Sequence, residues 1–350
     1  MNNTIRCSLS CSAFLRFVVL AMTVGLLGSV SAAGQTRALG TPGAGFKAPV
    51  SSTALSAPPI DPFMTYSGAS YGTGGIALRN RGTGVLHVSG VVGRVQDAYL
   101  YWAILFSTPT PTRNLSRASL SRIFPNPGFF GLPRVTLEGT LLGIGADPCW
   151  DSTGIAVYRA QVPRWLATGN GAYQVTIASA LTDGSDPWVS GPVFPAAEGA
   201  SLVIVGTGDY TVGIYDAGFT ATTFYGGTPF TYTLSLPAPV TTAALWDNIG
   251  ADGQTGASRL DRLDTDTETT TINGTLIAGP TSPIPTVGQW TPDSDWNGSA
   301  GLPIPQLWDD TGHDIFSAVK VPDDPIAAIT ISFHAPGDCV VTVSNVLAVY

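Results

Sequence analysis

The stretch "TPDSDWNGSAG" at residues 291–301 carries the first pattern of residues that could do chemistry. Asp293, Asp295, Asn297 and Gly298 follow the order D-x-D-x-N-G, which is how a calcium loop of the EF-hand type begins. In such a loop, oxygen ligands at alternate positions face one centre and the glycine makes the sharp turn. The pattern therefore predicts a calcium site in this loop.

The remainder of the loop departs from the EF-hand pattern. The twelfth position, where an EF-hand carries a bidentate glutamate, is Ile304, and Pro303 and Pro305 flank it. No helix can follow these prolines, so other side chains must complete the site. The alternative is that Asp, Asn and Gly serve here only as turn residues. The predicted calcium ligands are Asp293, Asp295, Asn297, Asp309 and Asp310.

Two common hydrolase signatures are absent from the sequence, which contains no H-E-x-x-H and no P-loop. A glycosidase needs only two well-placed carboxylates, and sequence spacing cannot show such a pair. A secreted hydrolase of this kind therefore stays open as an alternative function. Its acidic pair would come from Asp247, Asp252, Asp309, Asp310 and Asp314.

Several tryptophans lie in or beside loops rich in Gly, Asp and Pro. Carbohydrate-binding sandwiches hold sugars with flat aromatic rings and a few polar groups, so these rings are candidates for ligand contact. The alternative is that they cap a β-sandwich core. The predicted ligand-binding aromatics are Trp246, Trp296 and Trp308.

The charge of the chain excludes some partners. Its formal net charge is −8, and the two lysines are Lys47 and Lys320. Nucleic acids and anionic lipid surfaces need basic patches, so neither is an expected partner. The expected partner is an extracellular glycan or a surface protein.

The N-terminal region has the layout of a secretory signal peptide. Arg6 and Arg16 precede or border the short apolar run "FVVLAMTVGLLG", and "SVSAAGQ" offers small residues for cleavage. We assign residues 1–33 to the signal and residues 34–62, rich in Ala, Gly, Pro and Ser, to a flexible leader. A secreted location, with no transmembrane segment after signal removal, is expected.

The elements that must position these residues are strands. Gly (41) and Pro (27) are abundant, and strand-like runs recur between turn signals, as in "TPFTYTLSLP" with its alternating apolar residues. "VQDAYLYWAILF" is apolar almost throughout, as a strand buried on both faces would be. Only "RASLSRIF" and "PRWLATG" are interpreted as short helical turns. The prediction is an all-β protein of antiparallel β-sandwich or jelly-roll type with very little helix.

One internal match predicts two units in tandem. "WDSTGIAVYRAQV" at 150–162 aligns with "WDDTGHDIFSAV" at 308–319, and each leads into a strand. Coincidence in a chain of low complexity is the alternative. The predicted units are residues 63–214 and residues 215–350.

The runs "VQDAYLYWAIL", "VTLEGTLLG", "EGASLVIV", "DGQTG", "INGTLI" and "LWDDTGHDI" resemble uncharacterised modules of bacterial and archaeal secreted or surface proteins. The resemblance implies an extracellular β-rich module, often found beside adhesin-type repeats, and brings no catalytic residue with it. Such repeats are not visible here. The preferred function is a secreted non-catalytic module, stabilised by calcium, that binds a glycan or protein or serves structurally in the cell envelope.

Cys149 and Cys339 remain after the signal peptide is removed, whereas Cys7 and Cys11 leave with it. A lone pair of cysteines in an oxidising compartment forms a disulfide more readily than a reactive thiol. We therefore predict a bond between Cys149 and Cys339.

Overall fold

A computed structural model describes residues 58–123, 134–180, 182–216, 223–224, 229–253, 268–279, 298, 300, 307–320, 326–335 and 339–350. The predicted signal peptide, and the predicted leader up to residue 57, lie outside the described residues. The end of that leader is ordered against the fold, because Ile60 bridges to Leu234 in parallel orientation.

Strands dominate the first part of the described chain. They are β1 (Met64–Gly72), β2 (Gly75–Ala77), β3 (Thr83–Val88), β4 (Val95–Phe106), β5 (Arg117–Ile123), β6 (Arg134–Glu138), β7 (Thr140–Gly145), β8 (Gly154–Gln161), β9 (Gly171–Thr176), β10 (Ala196–Thr207) and β11 (Tyr210–Tyr215).

The later part of the described chain continues in the same way. Its strands are β12 (Thr223–Phe224), β13 (Phe230–Ser235), β14 (Ala244–Ala251), β15 (Thr269–Ile272), β16 (Thr275–Ala278), β17 (Trp308–Asp314), β18 (Ala328–His334) and β19 (Val340–Val349). Helix within the described ranges is confined to a 3₁₀ turn at Arg113–Ser116 and to α1 (Pro187–Ser190) and α2 (Phe316–Val319). The predicted all-β fold with very little helix is confirmed.

Strand β4 shows why the apolar run folds as predicted. Leu100 and Trp102 point to one face of the strand, whereas Tyr99 and Tyr101 point to the other, and all four are buried.

The helical turn predicted from "RASLSRIF" is wrong. Residues 117–123 form β5, because Ala118 and Leu120 alternate toward the core and the backbone pairs with β6 and β9. "PRWLATG" does form a hydrogen-bonded turn, in which the amide of Ala167 donates to the carbonyl of Pro163.

Three antiparallel sheets make up the described fold. The central sheet has the order β17-β14-β19-β11-β1-β10-β4-β8-β7, with β2 also paired to β10 and β12 also paired to β19. A first outer sheet has the order β3-β9-β5-β6, and a second outer sheet has the order β13-β18-β15-β16.

Hydrophobic cores fill the spaces between these layers. Leu86, Leu120 and Val175 of the first outer sheet pack on the outward face of β4, β8 and β10. Ile329, Ile331 and Phe333 of the second outer sheet pack on β14 and β19. A third core lies on the inward face of the central sheet and joins residues of β10, such as Val203, to residues of β19, such as Val343. The central sheet therefore curls until its two halves pack on each other.

The curl brings the edge strand β17 against β10. The indole Nε1 of Trp308 donates to Ser201 Oγ at 3.0 Å. Gly199 lies directly beneath this ring, since a Cβ there would stand 2.3 Å from Trp308 Cδ2. Only glycine allows so close an approach of the indole to the backbone.

The predicted division between residues 214 and 215 falls at the end of β11, inside the central sheet. Backbone pairing runs without a break from β10 through β1 and β11 to β19. The described residues all belong to one compact unit, from Leu55 to Tyr350. Each half of the chain has its own outer sheet, but the two halves share the central one, because strands distant in sequence supply each other's hydrogen bonds.

Candidate functional site

A cleft of about 420 Å³ opens where the ends of β1 and β14 approach β17. Its polar lining includes the rings of Tyr71 and Tyr210, the carboxylates of Asp247 and Asp314, and Ser89 from the loop after β3. The fold positions these groups from strands of both halves of the chain. The cleft is therefore a product of the curled sheet.

The two carboxylates lie on the same face of the β14–β17 ladder. Asp247 stands opposite Gly312, and Asp314 follows Gly312 by two residues. Such diagonal neighbours lie roughly 7–8 Å apart, with their Cβ atoms somewhat closer. Gly312 makes room for the pair, since a Cβ there would lie 2.1 Å from Asp247 Oδ1. Asp247 is buried at the base of the cleft, whereas Asp314 is exposed at its rim.

The phenol of Tyr71 donates a hydrogen bond to the carboxylate of Asp247. Burial raises the pKa of Tyr71 well above its ordinary value, and the charges of Asp247 and Asp310 raise it further. Tyr71 is therefore a neutral hydrogen-bond donor to Asp247 at physiological pH.

The cleft has an acidic character. Two of the described residues that line it are aspartates and one is His313, whereas none is Lys or Arg. Two carboxylates at one cleft contribute a negative potential that disfavours anions. The cleft is suited to neutral or cationic ligands.

Asp310 lies close to this site but does not open into it. Burial raises the pKa of its carboxyl to about 6, and the hydroxyls of Ser201 and Thr73 counter part of that effect. Both of its carboxylate oxygens are buried from solvent. Asp309, its neighbour in β17, points to the opposite face of the strand, as the pleat requires. The two predicted calcium ligands Asp309 and Asp310 therefore do not converge on one point.

Asp252 belongs to a separate buried ion cluster. Nη2 of Arg79 donates to Oε1 of Glu198 and, at 3.3 Å, to Oδ1 of Asp252. The ring of Trp150 lies 4.3 Å from the Arg79 guanidinium carbon, and its Nε1 donates to Asp252 Oδ1 at 2.6 Å. Arg79 and Glu198 are completely buried. Burial raises the pKa of Glu198, and Arg79 opposes that shift.

Sequence reasoning missed Arg79 and Glu198, which are 119 residues apart in the chain. The available signal was a lone arginine in "GIALRN" and a lone glutamate in "AAEGAS", each inside an apolar run. A charged residue in such a run is rarely buried without a partner. A buried partner of opposite charge could therefore have been expected for each of the two residues.

Burial removes two of the three predicted ligand-binding aromatics. Trp246 and Trp308 are 0% exposed. Trp246 donates from Nε1 to Asn345 Oδ1 at 2.7 Å and packs on Phe333, whereas Trp308 bonds Ser201. Neither ring can stack on a sugar, because each serves as core packing. The third, Trp296, lies outside the described residues.

The predicted calcium loop also lies outside the described residues at Asp293, Asp295 and Asn297. Within the described ranges, no group of three or more His, Cys, Asp or Glu side chains is arranged to hold a metal ion. Those ranges also contain no helix of the length and hydropathy needed to cross a bilayer.

The predicted disulfide is confirmed. Cys149 and Cys339 are bonded, with their Cα atoms 6.1 Å apart and a sequence separation of 190. The bond joins the loop before β8 to the residue before β19. It lies next to Trp150, and therefore next to the buried Arg79 cluster.

No protein-family model and no curated protein matches the chain. Crystal structures of BuGH86 and of a substituted form of it, each in complex with neoagarooctaose, share 10% identity with the chain. The TM-scores are 0.21 for BuGH86 and 0.23 for the substituted form, over 81% and 75% of this chain. The chain spans about a third of the length of those proteins, at 32% and 34%. A likeness this weak carries no argument about fold or function.

Proposed function

We propose that the protein is a secreted, non-catalytic binding module whose cleft binds a neutral glycan. The observation that carries this proposal is the cleft itself, in which the Tyr71–Asp247 pair lies beneath a second carboxylate, Asp314, and a second tyrosine, Tyr210. The signal-like N-terminus and the Cys149–Cys339 disulfide support an extracellular setting.

The chemistry of the lining fits sugar hydroxyls. A carboxylate accepts two hydrogen bonds at once, and bonds to a charged group are about twice as strong as neutral ones. Tyrosine rings add apolar contact for the C–H face of a sugar ring and a hydroxyl for its rim. Glycans that carry carboxylate or sulfate groups would be repelled by Asp247 and Asp314. A neutral oligosaccharide is therefore the favoured ligand class.

Catalysis is less well supported by the same geometry. A general acid must reach its substrate with a proton, and Asp310, whose pKa lies near 6, has both carboxylate oxygens buried outside the cleft. One observation nevertheless favours a glycosidase as the second candidate. The ladder register places Asp314 diagonally beside Asp247 on one face of the β14–β17 pair, and a glycosidase needs two carboxylates in one cleft.

A binding experiment tests the proposal. The secreted protein would be screened against neutral, uronic and sulfated oligosaccharides, and each binder measured by titration calorimetry. Asp247→Asn should weaken the affinity for a neutral glycan by roughly 10- to 100-fold, since a hydrogen bond to a charged acceptor contributes about 1.5–3 kcal/mol. Glu138→Gln is the matched control, because it removes a carboxylate from the first outer sheet, far from the cleft.

Two outcomes would contradict the proposal. Equal loss of affinity in Asp247→Asn and Glu138→Gln would place the glycan elsewhere, and exclusive binding of a surface protein or an acidic glycan would assign another partner. Release of reducing sugar by the wild type, and not by Asp247→Asn or Asp314→Asn, would establish the glycosidase instead.

A further inference from the structure

A row of polar side chains lies on the outward face of the central sheet, where apolar residues are expected. Asn248 of β14 stands between Thr311 of β17 and Asn345 of β19, each directly opposite it in the ladder. Asn248 is 0% exposed, and the other two are also buried. Asp309, two residues before Thr311, points the same way and is 0% exposed.

The second outer sheet contributes polar groups that face this row. Thr270 of β15 is paired with Phe333 of β18, and Phe333 packs in the core between the two sheets. Thr270 is buried beside it, and Glu268, two residues earlier on the same alternation, is only 3% exposed. Thr270 and Glu268 therefore point toward the central sheet.

The two sets lie at the same end of the interlayer space. Asn273, just after β15, donates to the carbonyl of Ala318 in α2, which follows the end of β17. The C-terminal ends of β15 and β17 therefore lie close together. The earlier residues of both strands extend from that point in the same direction. Phe333 packs on Trp246, two residues before Asn248. We call the five side chains gathered there the interlayer cluster: Glu268, Thr270, Asn248, Asp309 and Thr311.

Unmet hydrogen-bonding capacity points to a ligand in this cluster. The amide oxygen and nitrogen of Asn248 are buried and have no hydrogen-bond partner, and the same holds for the hydroxyl oxygens of Thr270 and Thr311. Buried polar atoms are nearly always satisfied, so each such atom requires an explanation. Three unsatisfied oxygens lie beside two buried carboxylates, and a hard cation would give these oxygens a partner.

We propose that the interlayer cluster binds a calcium ion. Calcium takes six to eight oxygen ligands in flexible geometry, from carboxylates, amide oxygens and water. The cluster offers two carboxylates, whose formal charge matches a divalent cation, together with one amide oxygen and two hydroxyl oxygens. Magnesium demands near-ideal octahedral geometry and keeps several waters, which suits a buried site between two sheets less well.

This site differs from the loop predicted from the sequence. Only Asp309 is common to both sets, and here its companions come from β14, β15 and β17 and from Glu268 just before β15. The ion would tie the second outer sheet to the central sheet, at the end where core residues give way to polar ones. It is independent of the cleft and of any glycan.

The experiment measures calcium on the intact secreted protein. Metal content by mass spectrometry, before and after stripping with a chelator, gives the number of bound ions. Terbium luminescence excited through tryptophan reports occupancy of the cluster, because Trp246 lies two residues from Asn248. Calcium should bind at one equivalent with this signature, and its readdition should raise the melting temperature of the stripped protein.

Variants locate the ion. Glu268→Gln and Asp309→Asn should each weaken binding at least 10-fold, and Thr311→Val, which changes little in volume, should weaken it measurably without unfolding the protein. The combined change Asp293→Asn with Asp295→Asn is the control, and the terbium signal should survive it.

The proposal is overturned if the wild type binds no calcium, or if the control abolishes binding while Glu268→Gln and Thr311→Val retain it. A failure of glycan binding would leave these readouts unchanged, so the two proposals stand or fall separately.

Discussion

Tyr71 of β1 hydrogen-bonds to Asp247 of β14, although β11 and β19 lie between those strands in the central sheet. Strands in a flat sheet are spaced about 4.8 Å apart, so β1 and β14 would be separated by about 14 Å. A single hydrogen bond spans the gap because the sheet curls. The same pair forms the base of the cleft, so the curl and the candidate site depend on each other.

Tyr71→Phe should destabilise the fold by about 1.5–3 kcal/mol, because the buried Asp247 carboxylate loses a hydrogen-bond donor. Urea unfolding followed by tryptophan fluorescence measures the change. Tyr350→Phe, at a tyrosine that is 52% exposed, is the control and should leave the midpoint nearly unchanged. Equal midpoints for Tyr71→Phe and the wild type would show that the bond does not stabilise the curl.

Arg79→Met should be strongly destabilising, by about 3–5 kcal/mol, since it leaves Glu198 and Asp252 buried without their cation. The matched control is Arg113→Met, which removes an arginine that is 83% exposed and pairs with Glu138. Denaturant unfolding of both variants gives the comparison. If the two variants unfold at the same denaturant concentration, Arg79 is not the cation that holds this cluster together.

Asp310 should give the fold a pH dependence below neutrality. Its pKa is about 6 in the folded chain against an ordinary 3.8, so the folded state holds the proton to higher pH. Stability therefore falls as pH rises from about 4 to about 6, and the loss is complete above the folded pKa.

Asp310→Asn should remove that loss. At pH 7 the variant should be more stable than the wild type by up to about 3 kcal/mol, from about 1.4 kcal/mol per pKa unit, and the two should converge near pH 4. Asp209→Asn, at an exposed carboxylate, should keep the wild-type profile. Parallel profiles for Asp310→Asn and the wild type would refute the assignment.

Removal of the disulfide should cost about 2–5 kcal/mol, since the bond closes a loop of 190 residues and long loops restrict the unfolded chain most. The Cys149→Ala, Cys339→Ala double variant tests this by urea unfolding. Its m-value should rise, because the unfolded chain expands when the cross-link is lost. Unchanged midpoint and slope would show that the bond constrains neither state.

Local chemistry made much of the fold predictable. The alternation in "TPFTYTLSLP" places Tyr232 and Leu234 in one core, and the strand β13 forms where that alternation occurs. The Cys149–Cys339 bond followed from the count of cysteines outside the predicted signal peptide. Each of these inferences needed only neighbouring residues or a pair with no competing partner.

Pairing between distant strands was not predictable in the same way. Nothing near Trp246 or Trp308 indicates that β14 pairs with β19 or that β17 folds back onto β10, and so burial of both rings was missed. The Arg79 cluster and the Tyr71–Asp247 bond depend on the same long-range contacts. A periodic pattern states which face of a strand is apolar, but it does not identify the strand beside it.

The position of β19 has a consequence for the order of folding. This strand comes latest in the described chain, yet it lies between β14 and β11 in the central sheet, and its residues 340–349 are buried throughout. Until it emerges, β14 and β11 each lack a hydrogen-bonding partner on one edge, and the second outer sheet packs on an incomplete support. Assembly of the sheet is therefore a late, long-range event, of the kind that folds slowly. Truncation before residue 340 should therefore leave the central sheet incomplete and the chain unfolded.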